Sequence, residues 1–351
     1  MTGIALLGAG IFAREEHLPA IEASPAFTLK AVYSRSQKSA EALAAAAANA
    51  SSIDVYFDSP SVPGKSLDDL LARADVAAVI IALPILTQPA AVQKALTAGK
   101  HVLSEKPVAS DLDSANQLLA WYGNLGSAAP IWAVAENFRF ITSLNYAAEQ
   151  VKKIGGSVTT FRLQMNSFVE PENKYFNTEW RKTPSYQGGF LLDGGVHFVA
   201  GLRLLLAAAG QKITQLAGFS ALLEERLLPV DTIHAVALTQ DGKSGSIGIS
   251  FGTEFKSGLE VEIVTTKGAV TWNPRGVKTV TKGADGKKVE EEKAFEYDSG
   301  VKVEVVAFGQ AIEAGKADPR QTPIEALRDL EILQRLLESG AGGAVVQKIA
   351  V

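Results

Sequence analysis

The sequence predicts an α/β domain followed by an α+β domain, and three observations carry that expectation. Short apolar runs alternate with helical patterns through the first third of the chain, as in a parallel sheet built from βαβ units. From about Ser157 the texture changes to alternating, β-rich stretches joined by glycine and aspartate turns, which reads as a large, mostly antiparallel open sheet. With 351 residues, 47% of them hydrophobic and 21% charged, the chain is long enough to bury two cores of ordinary globular composition.

Ile4–Leu7 is the first buried strand, followed by a helix from about Ile11 to Ala23. Leu29–Tyr33 is a second strand, and "KSAEALAAAAANA" reads as plain helix because alanine is the best helix former. "VAAVIIAL" (Val76–Leu83) is apolar on both faces, as a central parallel strand must be. The helix "AAVQKALTAG" ends at Gly99, a C-cap candidate, and leads to the strand "HVLSEKP". Ser110 and Asp113 predict a capping box for a helix running to Gly123. "GNLGSAAP" (Gly123–Pro130) breaks the helical pattern, so the predicted domains are residues 1–125 and 126–351. In the second domain "TQDGKSG" and "GADGKK" are hairpin turns, and "TPIEALRDLEILQRLLESG" is an amphipathic closing helix.

Composition narrows the function classes. A net charge of −4 gives no electrostatic reason to expect nucleic acid or an anionic membrane as partner. There is no cysteine, hence no disulfide or thiolate chemistry, and only four scattered histidines, so no metal site is expected. "MTGIALLGAGIF" lacks a basic leader and runs directly into "AREE", unlike a signal peptide. No window approaches the ~18 uncharged apolar residues of a membrane span. Even "LRLLLAAAG" is short and carries Arg203, so a soluble, cytoplasmic protein is expected.

The most informative stretch is "ALLGAGIFA", which sets Gly8, Gly10 and Ala13 after a strand and at the start of a helix. In that context the G-x-G-x-x-A pattern binds a dinucleotide. The first glycine permits the tight turn and the second lets backbone approach a pyrophosphate. Ala13 allows close helix–strand packing, and the helix start, with Ile11 and Phe12, presents free N–H groups to the anion. An NAD site carries Asp or Glu at the end of the second strand to bond the ribose 2′-hydroxyl. Here the sequence is "YSRSQKS": Ser34, Arg35 and Lys38 suit a 2′-phosphate instead, since a guanidinium recognises phosphate bidentately, and NADP(H) is the expected cofactor. In "FLLDGGVHFVAG", Asp193 and His197 stand four apart and share a face if helical. On these residues alone they are either a core pair satisfying its own hydrogen bonds or a proton relay facing a pocket.

At "AGKHVLSEKPVASD" the chain resembles the Gfo/Idh/MocA family of NAD(P)-dependent oxidoreductases, whose signature stands here as Gly99-Lys100-His101 and Glu105-Lys106-Pro107. The resemblance extends over essentially the full length. It includes the glycine fingerprint, "IALP" before a helix, "GGFLLDGGVH" as the family's Asp-x-Gly-x-His, the late sheet and the closing helix. It implies an N-terminal Rossmann domain with a doubly wound parallel sheet. It implies a C-terminal substrate-binding and oligomerisation domain, whose open sheet gives one face to the active site and, in a homodimer, the other to a partner subunit. It also implies that Lys106 lies beside the nicotinamide and that Asp193 and His197 lie over it, which favours the relay.

Hydride exchange between a nicotinamide and a carbinol needs a proton carrier and a group that stabilises the developing alkoxide. Lys106 suits the second task, His197 the first, and Asp193 can orient the imidazole. The expected cofactor set adds Leu83, Pro84, Gln88, Glu105, Asn137 and Arg181 to the residues above. Glu105 either bonds the nicotinamide ribose or caps a strand. Substrate candidates are Lys106, Asn137, Arg139, Trp180, Asp193 and His197, with Arg139 equally able to form a structural ion pair. Tyr175, Phe176 and Tyr186 either shape the substrate pocket or pack its loop, while His17 and His101 are assigned to structure. The chain departs from the family after Pro84, where Ile85 and Gln88 replace an Asn and a His. The expectation is an NADP(H)-dependent enzyme acting on a sugar, polyol or dihydrodiol-like small molecule. The alternatives are a non-catalytic nucleotide-sensing regulator, and a redox-neutral glycosidase or lyase that retains NAD.

Overall fold

In the computed structural model, which describes residues 1–350, two compact units can be distinguished: Met1–Glu136 with Val301–Leu327, and Asn137–Gly300 with Arg328–Val351.

The first unit is built on six parallel strands: β1 (Thr2–Leu7), β2 (Phe27–Ser36), β3 (Asp54–Ser59), β4 (Ala78–Ile81), β5 (His101–Glu105) and β6 (Trp132–Ala135). Their order is β3-β2-β1-β4-β5-β6, the doubly wound arrangement that reverses direction between β1 and β4. Ile4–Leu7 and Ala78–Ile81 are fully buried, because a strand covered on both faces leaves no position for polar residues. A π-helical turn, Ala13–His17, runs directly into α1 (Leu18–Ala23), so the expected helix 11–23 is present with one wide turn inside it. The helices α2 (Gln37–Ala45), α3 (Leu67–Leu71), α4 (Gln88–Thr97) and α5 (Leu112–Asn124) follow. Ala98 is the C-cap of α4, and Gly99, the expected cap, lies one residue beyond it at φ +77° and supplies the left-handed turn that follows. The cap of α5 differs from expectation. Asp111 is the N-cap, accepting from the Ser114 N–H at 2.8 Å, and the expected Ser110–Asp113 box is not the cap. A carboxylate one residue nearer the helix meets the free N–H groups directly. The third strand was not read from the sequence, because "DVYFDS" carries too few apolar residues to stand out.

The second unit carries α6 (Thr142–Ile154), the one-turn α7 (Glu179–Lys182), the twenty-residue α8 (Gly189–Ala208) and a nine-stranded sheet. Its strands are β7 (Val158–Asn166), β8 (Ile213–Ala221), β9 (Thr232–Thr239), β10 (Ser244–Ser250), β11 (Gly258–Thr265), β12 (Gly268–Asn273), β13 (Gly276–Lys282), β14 (Lys288–Ala294) and β15 (Gln347–Lys348). They lie in the order β14-β13-β12-β11-β7-β10-β9-β8-β15, antiparallel except where β10 pairs parallel with β7. Both expected hairpin turns join neighbouring strands, with Gly242 at φ +71° and Gly286 at φ +79°. α8 packs on β7, β10 and β11, and α6 packs on β12, β13 and α8. By length and composition α8 could cross a bilayer, but it carries Asp193 and Arg203, so the expectation that no uncharged apolar window reaches that length holds; 61% of its apolar window is buried, as in a core helix.

The chain then returns to the first unit as α9 (Val301–Ala314), where Val301, Val305 and Phe308 join the core around Phe27 and Ile21. The closing helix α10 (Pro323–Ala341) straddles the division at Leu327/Arg328. These units differ from a cut at 125/126 for two physical reasons. β6 is hydrogen-bonded to β5, with Trp132 opposite Val102, and the apolar stripe of α9 is buried against α1.

Candidate active site

In the first unit the candidate cofactor residues gather at the carboxyl ends of adjacent strands. Gly8 follows β1 and its N–H donates to the Tyr33 carbonyl at 2.8 Å. Its φ is +115°, and an added Cβ would lie 2.2 Å from the Ala82 carbonyl oxygen, so only glycine fits. A Cβ on Gly10 would meet nothing within 4 Å, so the backbone there is open to an approaching group. Ala13 is buried, Ile11 and Phe12 are half-buried at the helix start, and Leu83 and Pro84 follow β4. Gln88, the first residue of α4, is 2% exposed, and both its amide nitrogen and its amide oxygen lack a hydrogen-bond partner among the described residues. A buried amide left in that state is costly, and it fits a site completed by a polar ligand. The open glycine backbone and the unpaired amide together suit a dinucleotide.

Ser34 and Arg35 lie near the end of β2, with Arg35 exposed, and Lys38 is exposed in the first turn of α2. The structure adds a carboxylate that sequence order hides. Asp58 of β3 accepts the Tyr33 hydroxyl and the Leu67 N–H. Burial, and then Asp58, push the Tyr33 phenol well above its usual range, so it remains a hydrogen-bond donor to that carboxylate.

Glu105 ends β5, and both its oxygens are engaged. Oε1 lies 2.6 Å from Nε2 of His17, and Oε2 accepts the Lys106 N–H at 3.2 Å. Of the two roles open to Glu105, the structure displays bonding to its own chain corner. Lys106 is half-buried and stands immediately after β5, joined to Pro107 by a cis peptide bond.

In the second unit Asp193 and His197 lie on α8, one turn apart, as their spacing requires. Asp193 is 6% exposed and its Oδ2 accepts Arg181 Nε at 2.7 Å. The Arg181 guanidinium lies over the Trp180 ring, 4.0 Å from its centroid, so the loop pair joins the helix as one cluster. His197 is half-buried and stacks on Phe138, with ring centroids 4.9 Å apart and planes 16° from parallel. The Tyr186 hydroxyl is buried with no partner among the described residues, and burial followed by the Asp193 charge raises its phenol well above the usual range.

Two candidates are engaged elsewhere. The Asn137 amide donates to the Ser299 carbonyl at 2.6 Å. Arg139 is buried in an ion pair with Asp329, which also pairs with Arg203, so of the roles considered for Arg139 the ion pair is the one present. Sequence reading missed the contacts made by His17, Asp58 and Phe138. His17 had a weak local signal, a histidine one turn beyond the fingerprint; the other two had none. No group of three or more His, Cys, Asp or Glu side chains suited to a metal ion occurs among the described residues.

Comparison with known proteins bears on both units. Residues 2–127 match the model described as an oxidoreductase family with an NAD-binding Rossmann fold, and residues 149–347 match its C-terminal alpha/beta domain. Dehydrogenase FPY6 of Fusarium mangiferae is 56% identical over 341 residues, covering 97% of each chain. A D-xylose 1-dehydrogenase (NADP(+)) of Haloferax volcanii is 28% identical, covering 86% of this chain and 89% of its own. The crystal structure of an oxidoreductase from Thermotoga maritima aligns over 99% of this chain and 98% of its own, with a TM-score of 0.84 and 28% identity. The chain therefore belongs to the Gfo/Idh/MocA family of NAD(P)-binding oxidoreductases and is a dehydrogenase or reductase acting on CH–OH groups.

Proposed function

We propose that this protein is an NADP(H)-dependent oxidoreductase that exchanges hydride between the nicotinamide and a CH–OH/C=O couple of a sugar, polyol or dihydrodiol-like small molecule. One observation carries the reading. The glycine turn, the Pro84 loop and the Glu105–Lys106 corner follow β1, β4 and β5, three neighbours in one parallel sheet, at the ends where doubly wound folds bind ligands. Gly8, Gly10, Ile11, Phe12, Leu83, Pro84 and Gln88 would hold the dinucleotide, with Glu105, Asn137 and Arg181 as further contacts. Ser34, Arg35 and Lys38 would take the 2′-phosphate. Asp58, the carboxylate near the end of β2, is held by the Tyr33 hydroxyl and the Leu67 N–H.

The bound cofactor supplies the hydride donor or acceptor. Lys106 stabilises charge on the substrate oxygen through its ammonium. His197 gives or takes the hydroxyl proton, held in plane by Phe138. Asp193, neutralised by Arg181, presents a fixed acceptor to the substrate or the imidazole, and Trp180 is the weaker substrate candidate. The relative with an NADP(+) name supports the cofactor choice.

The second-unit sheet leaves Phe219 68% exposed and Val236 55% exposed on the neighbouring strands β8 and β9. Exposed apolar residues on a sheet face suit a second copy of this chain, giving a homodimer. Phe219→Asp with Val236→Asp should sediment as a monomer.

A screen of sugars, polyols and diols with NADP⁺, followed at the nicotinamide absorbance band, tests the function. Turnover with NADP⁺ preferred over NAD⁺ is expected. An equivalent of NAD that copurifies and never exchanges would contradict it.

A further inference from the structure

His17 is fully buried in the first unit, at the end of the π-helical turn that follows the glycine fingerprint. Its Nε2 meets Glu105 Oε1 at 2.6 Å across 88 residues of sequence, while Nδ1 is buried with no hydrogen-bond partner among the described residues. A carboxylate accepts, so Nε2 donates in this bond, and Nδ1 is left unsatisfied whether it is acceptor or donor. A leucine would fill the same space without that cost. The edge-on Phe12 ring, 5.2 Å away, supplies packing that any apolar side chain could use. The imidazole is therefore kept for its bond to Glu105 rather than for packing.

The other oxygen of that carboxylate receives the backbone N–H of Lys106. Donor, carboxylate and donor form a chain from the helix that begins at the fingerprint to the corner that carries the lysine. The extra backbone width of the π turn sets the position of its last residue, and such turns recur at functional sites.

We infer that His17 is a positioning residue for hydride transfer: by holding Glu105 it fixes the backbone corner from which Lys106 projects, tying it to the dinucleotide-binding helix. This rests on the role proposed for Lys106. A lysine ammonium on a four-carbon stem is loosely directed, so its corner must be rigid for it to act repeatedly at one atom.

The test uses His17→Leu, which removes the donor, and His17→Gln, whose amide nitrogen can replace Nε2. Hydrogen exchange read by mass spectrometry reports on the corner without any turnover. In the Leu variant the Lys106 amide should exchange roughly tenfold faster, the scale of one lost hydrogen bond. The Val102 amide, bonded to the Ile131 carbonyl, should be unchanged. The Gln variant should restore Lys106 protection. In turnover, kcat should fall about tenfold or more in the Leu variant, with NADPH affinity and substrate KM little altered, and recover in the Gln variant. Unchanged Lys106 exchange in the Leu variant, or a uniform rise along β5 that Gln does not reverse, would overturn the inference and leave His17 as packing. Absence of hydride transfer in the wild type would instead overturn the functional reading, while the exchange result still decides whether His17 holds the corner.

Discussion

Arg181 and Asp193 form an ion pair with Nε 2.7 Å from Oδ2, joining the one-turn helix α7 to the long apolar helix α8. Both side chains are largely out of solvent, at 15% and 8% exposure, so neither charge is tolerated alone. Arg181→Ala should lower unfolding stability by about 3 kcal/mol in urea titrations. Adding Asp193→Asn to that variant should recover much of the loss, because the stranded charge is then removed. Additive losses in the double variant would show that the two groups are not coupled.

The proposed chemistry puts Lys106 and His197 in different roles with a common signature. Lys106→Met and His197→Ala should each lower kcat by at least ~10²-fold, the scale of a lost acid–base or charge-stabilising group. NADPH affinity by fluorescence titration should stay near the wild-type value. Wild-type turnover in either variant removes that residue from the mechanism.

Cofactor choice rests on Arg35. Arg35→Ala should weaken NADPH binding by roughly 10- to 100-fold, the range of a charge-assisted phosphate contact, and change NADH binding little. Equal weakening of both would place Arg35 outside the 2′-phosphate site.

The two glycines of the fingerprint should fail in different ways. Gly8→Ala forces a side chain into φ +115° and against the Ala82 carbonyl, so it should destabilise the fold by at least ~2 kcal/mol. Gly10→Ala meets no protein atom within 4 Å. It should therefore retain thermal stability and lose affinity for both NADPH and NADH.

The α5 cap provides a pH-dependent test. Burial alone would raise the Asp111 carboxyl, but the Ser114 N–H and the Ser110 and Ser114 hydroxyls outweigh it and hold it below its ordinary 3.8. A depressed folded value means that this stabilisation is present above the unfolded value and lost as the pH falls through the folded one. Asp111→Ala should cost about 1 kcal/mol at neutral pH. The gap between the variant and the wild type should narrow below about pH 4. A gap that stays constant to pH 2 would assign the loss to packing.

Much of this protein is local in origin. Gly8 after an apolar strand, four uninterrupted apolar residues in β4, and the four-residue spacing of Asp193 and His197 each express a constraint acting within a few residues. The period of a strand or helix and the steric demand of a turn are such constraints, so the two sheets, the fingerprint and the shared face of α8 could be read in order along the chain. What the tertiary structure alone decided is partnership. His17 finds Glu105 88 residues away, and Arg139 finds Asp329 190 residues away. Asp58 meets Tyr33 from the next strand, and α9 returns to the first core after eight of the nine strands of the second sheet. No periodicity encodes such pairs, because they depend on which buried donor and acceptor packing brings within bonding distance, and a group left unpaired there is penalised only once water has been excluded.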